Sequence, residues 1–175
     1  MLLIRAATTD DIPVIQHIAH TTWPIAYGHI ISAEQIAYML EMMYSTDALA
    51  AQMNLRMHRF LIATLDAVAV GFASYELDIN NAARITKLHK LYCLPSEQKN
   101  GVGISLVNAV ITAASQQSTI QLNVNKNNNA TNFYARLGFS VIGEIVVDIG
   151  QGYVMDDYVM AKQLSRPTIA TEDVK

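Results

Sequence analysis

Two closely spaced glycines are the first feature of this sequence that suggests chemistry. Gly101 and Gly103 lie in the stretch from Gln98 to Gly103, between a run that predicts a strand and a run with helical spacing. Glycine permits a tight turn and lets a ligand approach the backbone closely. Successive N–H groups at a helix N-terminus, with the helix dipole behind them, attract anions. The turn therefore predicts an anion site, and a pyrophosphate is the group that suits such a site best.

The better-known nucleotide-binding motifs do not describe this turn. It lacks the Gly-Lys-Ser/Thr of a Walker A loop, and it lacks the third glycine and the later acidic residue of a dinucleotide fingerprint. A glycine turn that only redirects the chain is the alternative to a binding site. The surrounding sequence has to decide between the two.

A second motif follows downstream. It begins at Asn127 and ends at Phe139, with the pattern Asn-x-x-Ala-x-x-Phe-Tyr-x-x-x-Gly-Phe. The glycine turn with its preceding strand resembles motif A of the GNAT superfamily of N-acetyltransferases, and the second stretch resembles motif B of the same superfamily. The likeness extends to Ile4-Arg5 near the start and to Asp157–Lys162 near the end, so it spans nearly the whole chain.

The resemblance implies an acetyl-CoA-dependent N-acetyltransferase and assigns roles by position. One strand would pair with the pantetheine arm of the cofactor, the turn would bind its pyrophosphate, Asn127 would hold the pantetheine region, and Tyr134 would lie near the thioester sulfur. The cofactor-binding residues implied in this way are Leu91, Tyr92, Cys93, Gln98, Lys99, Asn100, Gly101, Val102, Gly103, Ile104, Asn127 and Tyr134.

Tyr134 also suits its implied role by its chemistry. Attack of an amine on a thioester forms an oxyanion, which backbone N–H groups near Leu91 could stabilise, and then expels a thiolate. A phenol with an ordinary pKa of about 10 stays protonated at neutral pH and can protonate that thiolate as a general acid. A packed core aromatic is the alternative role, because Phe133 and Phe139 beside it are expected to pack.

The general base is harder to identify. An amine with an ordinary pKa of about 10 must lose a proton before it attacks. Many relatives carry a glutamate on the motif A strand or on the next one. Here no carboxylate lies between Ile85 and Leu94 on the motif A strand. On the next strand, Asn123 stands where those relatives have the glutamate. His89 is therefore the candidate catalytic base, with an expected pKa of about 6 to 7.

The neighbours of His89 bear on this assignment. Lys87 and Lys90 are cationic and would lower the pKa of His89 if they lie close to it, which favours the neutral form that accepts a proton. A solvated surface histidine is the alternative. Deprotonation would then rest with ordered water, or with a carboxylate from another segment such as Glu34 or Asp78.

The acceptor site and the metal question rest on weaker signals. Trp23 and Tyr27 fall between the first two predicted helices, where this family commonly builds its acceptor pocket, and they are the predicted substrate-binding residues. Their alternative role is to anchor a loop. His17 and His20 stand three residues apart on a helix, but no third ligand is evident, so no metal site is predicted.

The elements that position these residues follow from hydrophobic periodicity and turn signals. Strands are predicted at residues 2–6, 59–65, 68–75, 84–94, 119–125, 139–148 and 153–161. Helices are predicted from residue 12 to a stop before Pro24, from 36 to 43, from 46 to 53, from 101 onward, and from 128 to 137. This order predicts an α/β (α+β) fold of the GNAT type, with a mixed, mostly antiparallel sheet of about six to seven strands and helices on both faces.

One strand carries a more specific prediction. A bulge between Leu88 and Leu91 would return these apolar residues to one face. Without a bulge, Tyr92 and Leu94 continue the face of Thr86 and Leu88, so the pattern leaves both possibilities open. In the family, a bulge on this strand separates it from its neighbour and admits the cofactor.

The bulk composition sets outer limits. The chain has 175 residues, a net charge of -3 and one cysteine, which predicts a single domain at residues 1–165 and a loose tail at 166–175. No basic patch points to a nucleic-acid partner, and no apolar run approaches the ~20 residues of a membrane span. A cytoplasmic protein is the expectation.

The sequence thus predicts transfer of an acetyl group from acetyl-CoA to a primary amine of a small molecule, by direct attack in a ternary complex. The two ends of the chain look most like bacterial small-molecule acetyltransferases, including the spermidine/spermine type. A polyamine, an amino acid, an amino sugar and a peptide N-terminus all stay open as acceptors. The alternative class is a non-catalytic acetyl-CoA-binding regulatory domain, which the missing carboxylates favour. A homodimer is a further expectation, because relatives are often homodimers.

Overall fold

The computed structural model describes residues 1–78 and 82–164, and all strands in these residues form one sheet. The strands are β1 (Leu2–Ala6), β2 (Arg59–Leu65), β3 (Val68–Leu77), β4 (Ile85–Cys93), β5 (Thr119–Asn125), β6 (Ser140–Gly150) and β7 (Tyr153–Gln163). The helices are α1 (Ile12–Tyr27), α2 (Ala33–Tyr44), α3 (Thr46–Asn54), α4 (Val102–Ala113) and α5 (Ala130–Arg136). The predicted tail at 166–175 lies outside the described residues.

The sheet is mixed and mostly antiparallel, as predicted. Its strand order is β1-β2-β3-β4-β5-β7-β6, and of its neighbouring pairs only β4 and β5 run parallel. A parallel pair needs a crossover connection, and α4 supplies it. Helices α1 to α3 pack on one face around Ile15, Leu49 and Phe72, whereas α4 packs on the other face against Leu122. No helix in the described part of the chain is long and apolar enough to cross a membrane.

The predicted bulge on β4 is present at His89. Tyr75 pairs with Leu88 while Ser74 pairs with Lys90, so His89 is the extra residue opposite β3. Leu88 and Leu91 consequently pack in the same core cluster. An extra residue in one strand bends that strand and increases its twist.

Beyond this bulge β4 separates from β5. Their parallel pairing ends at Leu88 and Leu122, although β4 continues to Cys93 and β5 continues to Asn125. The rest of β5 pairs only on its other side, with β7. The sheet is therefore open between the two strands, and the backbone of β4 beyond Leu88 lacks a strand partner on that side.

Helix α1 runs through Pro24 to Tyr27, so the predicted stop before Pro24 is wrong. A proline inside a helix costs ~3 kcal/mol. Packing offsets this cost, because Trp23 is buried and its ring centroid lies 4.6 Å from that of Tyr27 one turn later. The hydroxyl of Thr22 also donates to the carbonyl of Ile18, at 2.7 Å. Trp23 and Tyr27 thus belong to the last turns of α1 and not to a loop.

Candidate active site

One cavity of about 800 Å³ joins the open part of the sheet to the start of α4 and to the underside of α1 and α2. The predicted site residues that line it are Trp23, Tyr27, His89, Leu91, Tyr92, Cys93, Gln98, Lys99, Gly101, Val102, Gly103, Ile104 and Tyr134. Residues that the sequence places far apart, on α1, β4, α4 and α5, thus meet in one space.

Two predicted cofactor residues are not among those that line the cavity. The side-chain amide of Asn100 donates to Glu97 at 3.0 Å, and the backbone N–H of Asn127 donates to the side chain of Asn125 at 2.9 Å. Asn125 and Asn128 line the cavity instead. The turn after β5 thus directs Asn128, the residue after Asn127, toward the cavity.

The glycine turn has the backbone of an anion site. Gly101 precedes α4 with a left-handed φ of 78°, which glycine adopts without strain, and Lys99 also has a positive φ of 76°. The first helical hydrogen bond runs from the N–H of Ser105 to the carbonyl of Gly101, at 2.9 Å. The N–H groups that precede Ser105 in the helix are therefore available to a ligand.

Gly103 keeps the space in front of this turn open. A Cβ atom there would lie 3.3 Å from the ring of Phe133 and 3.7 Å from the sulfur of Cys93. A side chain would fill the passage between the helix start and the open part of the sheet. A narrow passage that begins at free N–H groups and continues along an unpaired strand fits an elongated ligand with a pyrophosphate, such as acetyl-CoA.

Tyr134 lies on α5 at the edge of the cavity. Its ring packs between Phe133 and Phe139, with centroids 5.2 Å and 5.6 Å away, and 8% of the residue is exposed. Burial, with smaller effects from Tyr27 and Cys93, raises the pKa of Tyr134 well above 10, so the phenol stays protonated. Within residues 1–78 and 82–164 no hydrogen bond engages its hydroxyl. Its packing and its availability as a proton donor are therefore compatible.

A cluster of aromatic residues forms the wall under α1. The hydroxyls of Tyr27 and Tyr92 lie 3.2 Å apart, and the ring of Trp23 packs between those of Tyr27 and Tyr44. Burial raises the pKa of Tyr27, of Tyr44 and of Tyr92, so this wall is uncharged. The wall therefore presents to the cavity the apolar faces of aromatic rings together with the hydroxyl groups of Tyr27 and Tyr92.

His89 faces a carboxylate and another imidazole. Its Nε2 atom lies 3.3 Å from Glu76, and its ring stacks on that of His58 with centroids 4.0 Å apart and planes 9° apart. Burial, then Lys90 and Lys87, lower the pKa of His89 to about 4. The predicted direction is therefore present, but the value lies below the expected 6 to 7. At that pKa His89 is neutral at pH 7 and is a weak base.

The trio of His58, Glu76 and His89 has the composition of a metal site, since its ligand atoms lie within 4.8 Å of one another. Its geometry opposes one. The stacked rings bring both Nε2 atoms toward the same oxygen of Glu76, which lies 3.8 Å from His58 and 3.3 Å from His89, so the carboxylate itself stands where the two imidazoles converge. Lys90 and Arg56 also place positive charge beside the trio. We interpret it as a contact that supports the bulge.

Asp157 on β7 is the site residue that the sequence analysis missed. It is 3% exposed and lines the cavity. Burial and the neighbouring Asp156 raise its pKa to about 6, against the opposing effect of Lys87. A period-two signal could have found it, because Met155 and Val159 share its face of the strand. The carboxylates considered earlier, Glu34 and Asp78, are not among the described residues that line the cavity.

A family model described as "Acetyltransferase (GNAT) domain" matches residues 29–155. The chain therefore belongs to the GNAT acetyltransferase family, as the motifs predicted. Its class is that of an acetyl-CoA-dependent N-acetyltransferase.

Known proteins resemble the chain over most of its length. A protein named as an uncharacterized N-acetyltransferase of Mycobacterium tuberculosis is 29% identical over 157 residues, which cover 88% of this chain and 98% of that protein. The PaiA N-acetyltransferase of Thermoplasma acidophilum, solved with coenzyme A, has a TM-score of 0.71 and 22% identity, covering 93% of this chain and 99% of its own. The ribosomal-protein-S18-alanine N-acetyltransferase of Escherichia coli has a TM-score of 0.70 and 20% identity, with 97% and 98% covered. The two structures confirm the fold.

Proposed function

We propose that the protein transfers an acetyl group from acetyl-CoA to the primary amine of a small molecule, by direct attack in a ternary complex. The observation that carries the proposal is one continuous cavity with three parts. It has free backbone N–H groups at the start of α4, an unpaired strand edge on β4, and a wall that combines a carboxylate with phenol hydroxyls.

The residues of this chain that would hold the cofactor follow from these parts. The N–H groups of Val102, Gly103 and Ile104 bind the pyrophosphate, assisted by the helix dipole. The unpaired backbone from Leu91 to Cys93 binds the amides of the pantetheine arm as a neighbouring strand would. The inward-facing Asn128 supports the inference that it takes the role that the motif assigns to Asn127. When bound, acetyl-CoA supplies the acetyl group as a thioester.

Tyr134 would handle the proton of the leaving group. Its phenol holds a proton at neutral pH because burial raises its pKa. It donates this proton to the departing thiolate and regains one from the nitrogen of the new amide. His89 is a weak candidate for the general base, because its pKa is lowered to about 4 and Glu76 engages its ring.

The closure of the acceptor side favours a small acceptor over a peptide. Helix α2 is tied to the β6–β7 hairpin by two hydrogen bonds to backbone carbonyls. The amide of Gln35 donates to Val154 at 3.1 Å, and the hydroxyl of Tyr38 donates to Ile149 at 2.6 Å. A peptide would need an open groove at this place. The related Escherichia coli structure carries the name of an enzyme for an alanine of a ribosomal protein, so a peptide or protein acceptor is the competing proposal.

A non-catalytic regulatory domain was favoured by the missing carboxylates on β4 and β5. Asp157 weakens that alternative, because β7 brings a buried carboxylate to the same cavity. A regulatory domain needs the cofactor turn but has no use for a buried, unpaired acid in the acceptor wall.

We further propose that two copies of the chain associate along β6. This strand is one of the two edge strands of the sheet, β1 being the other, and it is paired only with β7. Six large hydrophobic residues on β6 and its partner are exposed, namely Val141, Ile142, Ile145, Val146, Val147 and Val154. An antiparallel pairing centred on Ile145 would place Glu144 opposite Val146, so no acidic residue would face its own copy.

Isothermal titration calorimetry with acetyl-CoA tests the cofactor site. Wild-type protein should bind saturably, and Gly103→Glu should weaken binding at least about tenfold, because it fills the passage and sets a negative charge against the pyrophosphate. Asn108→Glu is the matched control, since it adds the same charge one turn further along α4 on an exposed position. Absence of wild-type binding, or equal losses in both variants, would contradict the proposal.

A further inference from the structure

Asp157 is buried in a way that its protein neighbours do not explain. It pairs with Asn125 of β5 and with Ile145 of β6, in the interior of the sheet. It is 3% exposed, and its remaining exposure is toward the cavity. Within residues 1–78 and 82–164, no donor is hydrogen-bonded to its carboxylate. A buried carboxylate without a partner costs free energy, and such groups are concentrated at functional sites.

The cations near Asp157 are engaged by other groups. Lys87 on β4 donates its hydrogen bond to the side-chain oxygen of Asn123. Lys126, which follows β5, forms ion pairs with Asp156 and with Glu144, both at 2.7 Å. The carboxylate of Asp157 therefore stays available to a cation that enters from the cavity.

We propose that Asp157 receives the ammonium group of the acceptor and removes its proton before attack. The inference rests on the proposed function. The proton passes from the acceptor nitrogen to an oxygen of Asp157, which leaves a neutral amine with a free lone pair and a protonated Asp157. The amine then forms the new C–N bond as the thioester C–S bond breaks. The second proton of the nitrogen replaces the one that Tyr134 gives to the sulfur, and Asp157 returns its proton to solvent.

The position of Asp157 meets the requirement that the sequence left open. Neither β4 nor β5 offers a carboxylate to the gap between them, and β7 lies directly beside β5. The hydroxyl of Tyr27 lies near Asp157 and can orient the entering amine. The wall around Tyr27 is aromatic, which suits the organic part of the acceptor.

The electrostatic surroundings agree with this role. The titratable groups around Asp157 are Tyr27 on α1, Lys87 on β4, Lys126 after β5, and Asp156 on β7. Burial and Asp156 raise the pKa of Asp157 to about 6, so it is ionised at pH 7 and yet basic enough to accept a proton.

The same surroundings select the class of acceptor. Lys87 and Lys90 line the cavity on the β4 side, and both carry positive charge, although burial lowers the pKa of each. One ammonium group can bind Asp157, whereas a second one would meet these lysines. Acceptors with a single ammonium group are therefore preferred over polyamines.

Benzylamine, with benzyl alcohol as its neutral analogue, probes this site in the full-length chain. Carbon-detected NMR of the carboxyl groups, with Asp157 assigned by its loss in Asp157→Asn, should show a titration near pH 6. Benzylamine should shift this resonance saturably at pH 7.5, and benzyl alcohol should not. For benzylamine acetylation, kcat/KM should rise with pH through about 6 and should fall at least about 10²-fold in Asp157→Asn.

The controls separate the base from its surroundings. Asp156→Asn makes the same change one residue away; because Asp156 helps raise the pKa of Asp157, this variant should shift the pH limb to lower pH while keeping kcat/KM at pH 7.5 within about threefold. His89→Gln should keep the pH limb. Unchanged kcat/KM in Asp157→Asn, loss of the limb in His89→Gln, or no amine-dependent NMR shift would overturn the inference. Spermidine acetylated faster than benzylamine would overturn the preference for one ammonium group. In each of these cases, acetyl-CoA binding that Gly103→Glu weakens at least about tenfold leaves the proposed function standing.

Discussion

At the scale of single residues, the same burial that packs Tyr134 also fixes its protonation. The ring sits between Phe133 and Phe139, and the low-dielectric surroundings raise the pKa of its phenol. Core aromatic and proton donor were alternatives in the sequence. In the structure, the buried position of Tyr134 suits both roles, so only a variant that keeps the ring and removes the hydroxyl can distinguish packing from proton donation.

Tyr134→Phe makes that separation, because it keeps the ring and removes only the hydroxyl. We expect kcat to fall by about 10²-fold, the scale of a lost general acid, while the Kd for acetyl-CoA and the melting temperature stay close to wild type. Steady-state kinetics, calorimetry and thermal unfolding measure the three quantities. Wild-type kcat in this variant would leave Tyr134 with packing alone.

Asp157 should lower the stability of the protein at neutral pH. Its pKa is raised from 3.8 to about 6 on folding, so the folded state binds this proton more tightly than the unfolded state. The stability that the proton contributes is complete below pH 3.8 and is lost as the pH rises through about 6. Asparagine does not ionise, so Asp157→Asn does not lose this stability as the pH rises.

We therefore expect Asp157→Asn to be more stable than wild type at pH 7.5 by about 1 to 2 kcal/mol, after allowance for solvent that reaches the carboxylate. The difference should shrink toward zero near pH 4. Urea unfolding at the two pH values measures it. Asp156→Asn loses an ion pair with Lys126 and should show no such gain. A destabilised Asp157→Asn at pH 7.5 would mean that the carboxylate has a structural role.

At the scale of elements, local signals predicted β2 and β5 to the residue but failed at α1. Alternation and the turn at Asp66 and Ala67 define β2, and both turn residues have the positive φ of a tight hairpin. Pro24 is an equally local signal for the end of a helix. Helix α1 continues through it because Trp23 packs in the core. The position of Asn128 at the cavity could not be predicted either, because the spacing of a motif does not say which of several successive asparagines faces the site.

Strand β6 carries the prediction at this scale. Val146→Lys places a charge on the exposed edge, which should prevent association of two β6 strands. Wild-type protein should elute as a dimer in size-exclusion chromatography with light scattering, and the variant as a monomer. Val68→Lys, another exposed valine on the distant β3, is the control. A monomeric wild type, or a dimer that survives Val146→Lys, would contradict the proposed interface.

At the scale of the whole molecule, the sequence predicted the cofactor half of the site better than the acceptor half. The turn at Gly101 and Gly103 is a continuous segment whose spacing identifies it. Asp157 reaches the cavity only because β7 lies between β5 and β6. The sequence predicts the two strands of the β6–β7 hairpin from their alternation and the turn between them. Which of the two lies in the interior of the sheet depends on pairing with β5, a distant segment.

The interior place of β7 has a consequence for synthesis. Residues 153–163 are the last of the seven strands to leave the ribosome, yet they pair on both sides, with β5 and with β6. Until then β5 is an open edge and β6 has no partner. The residues of the cofactor turn thus leave the ribosome before Asp157, the carboxylate of the acceptor wall. The strand that closes the sheet is also the one that carries the buried acid, so a translation product that stops before β7 lacks a complete site.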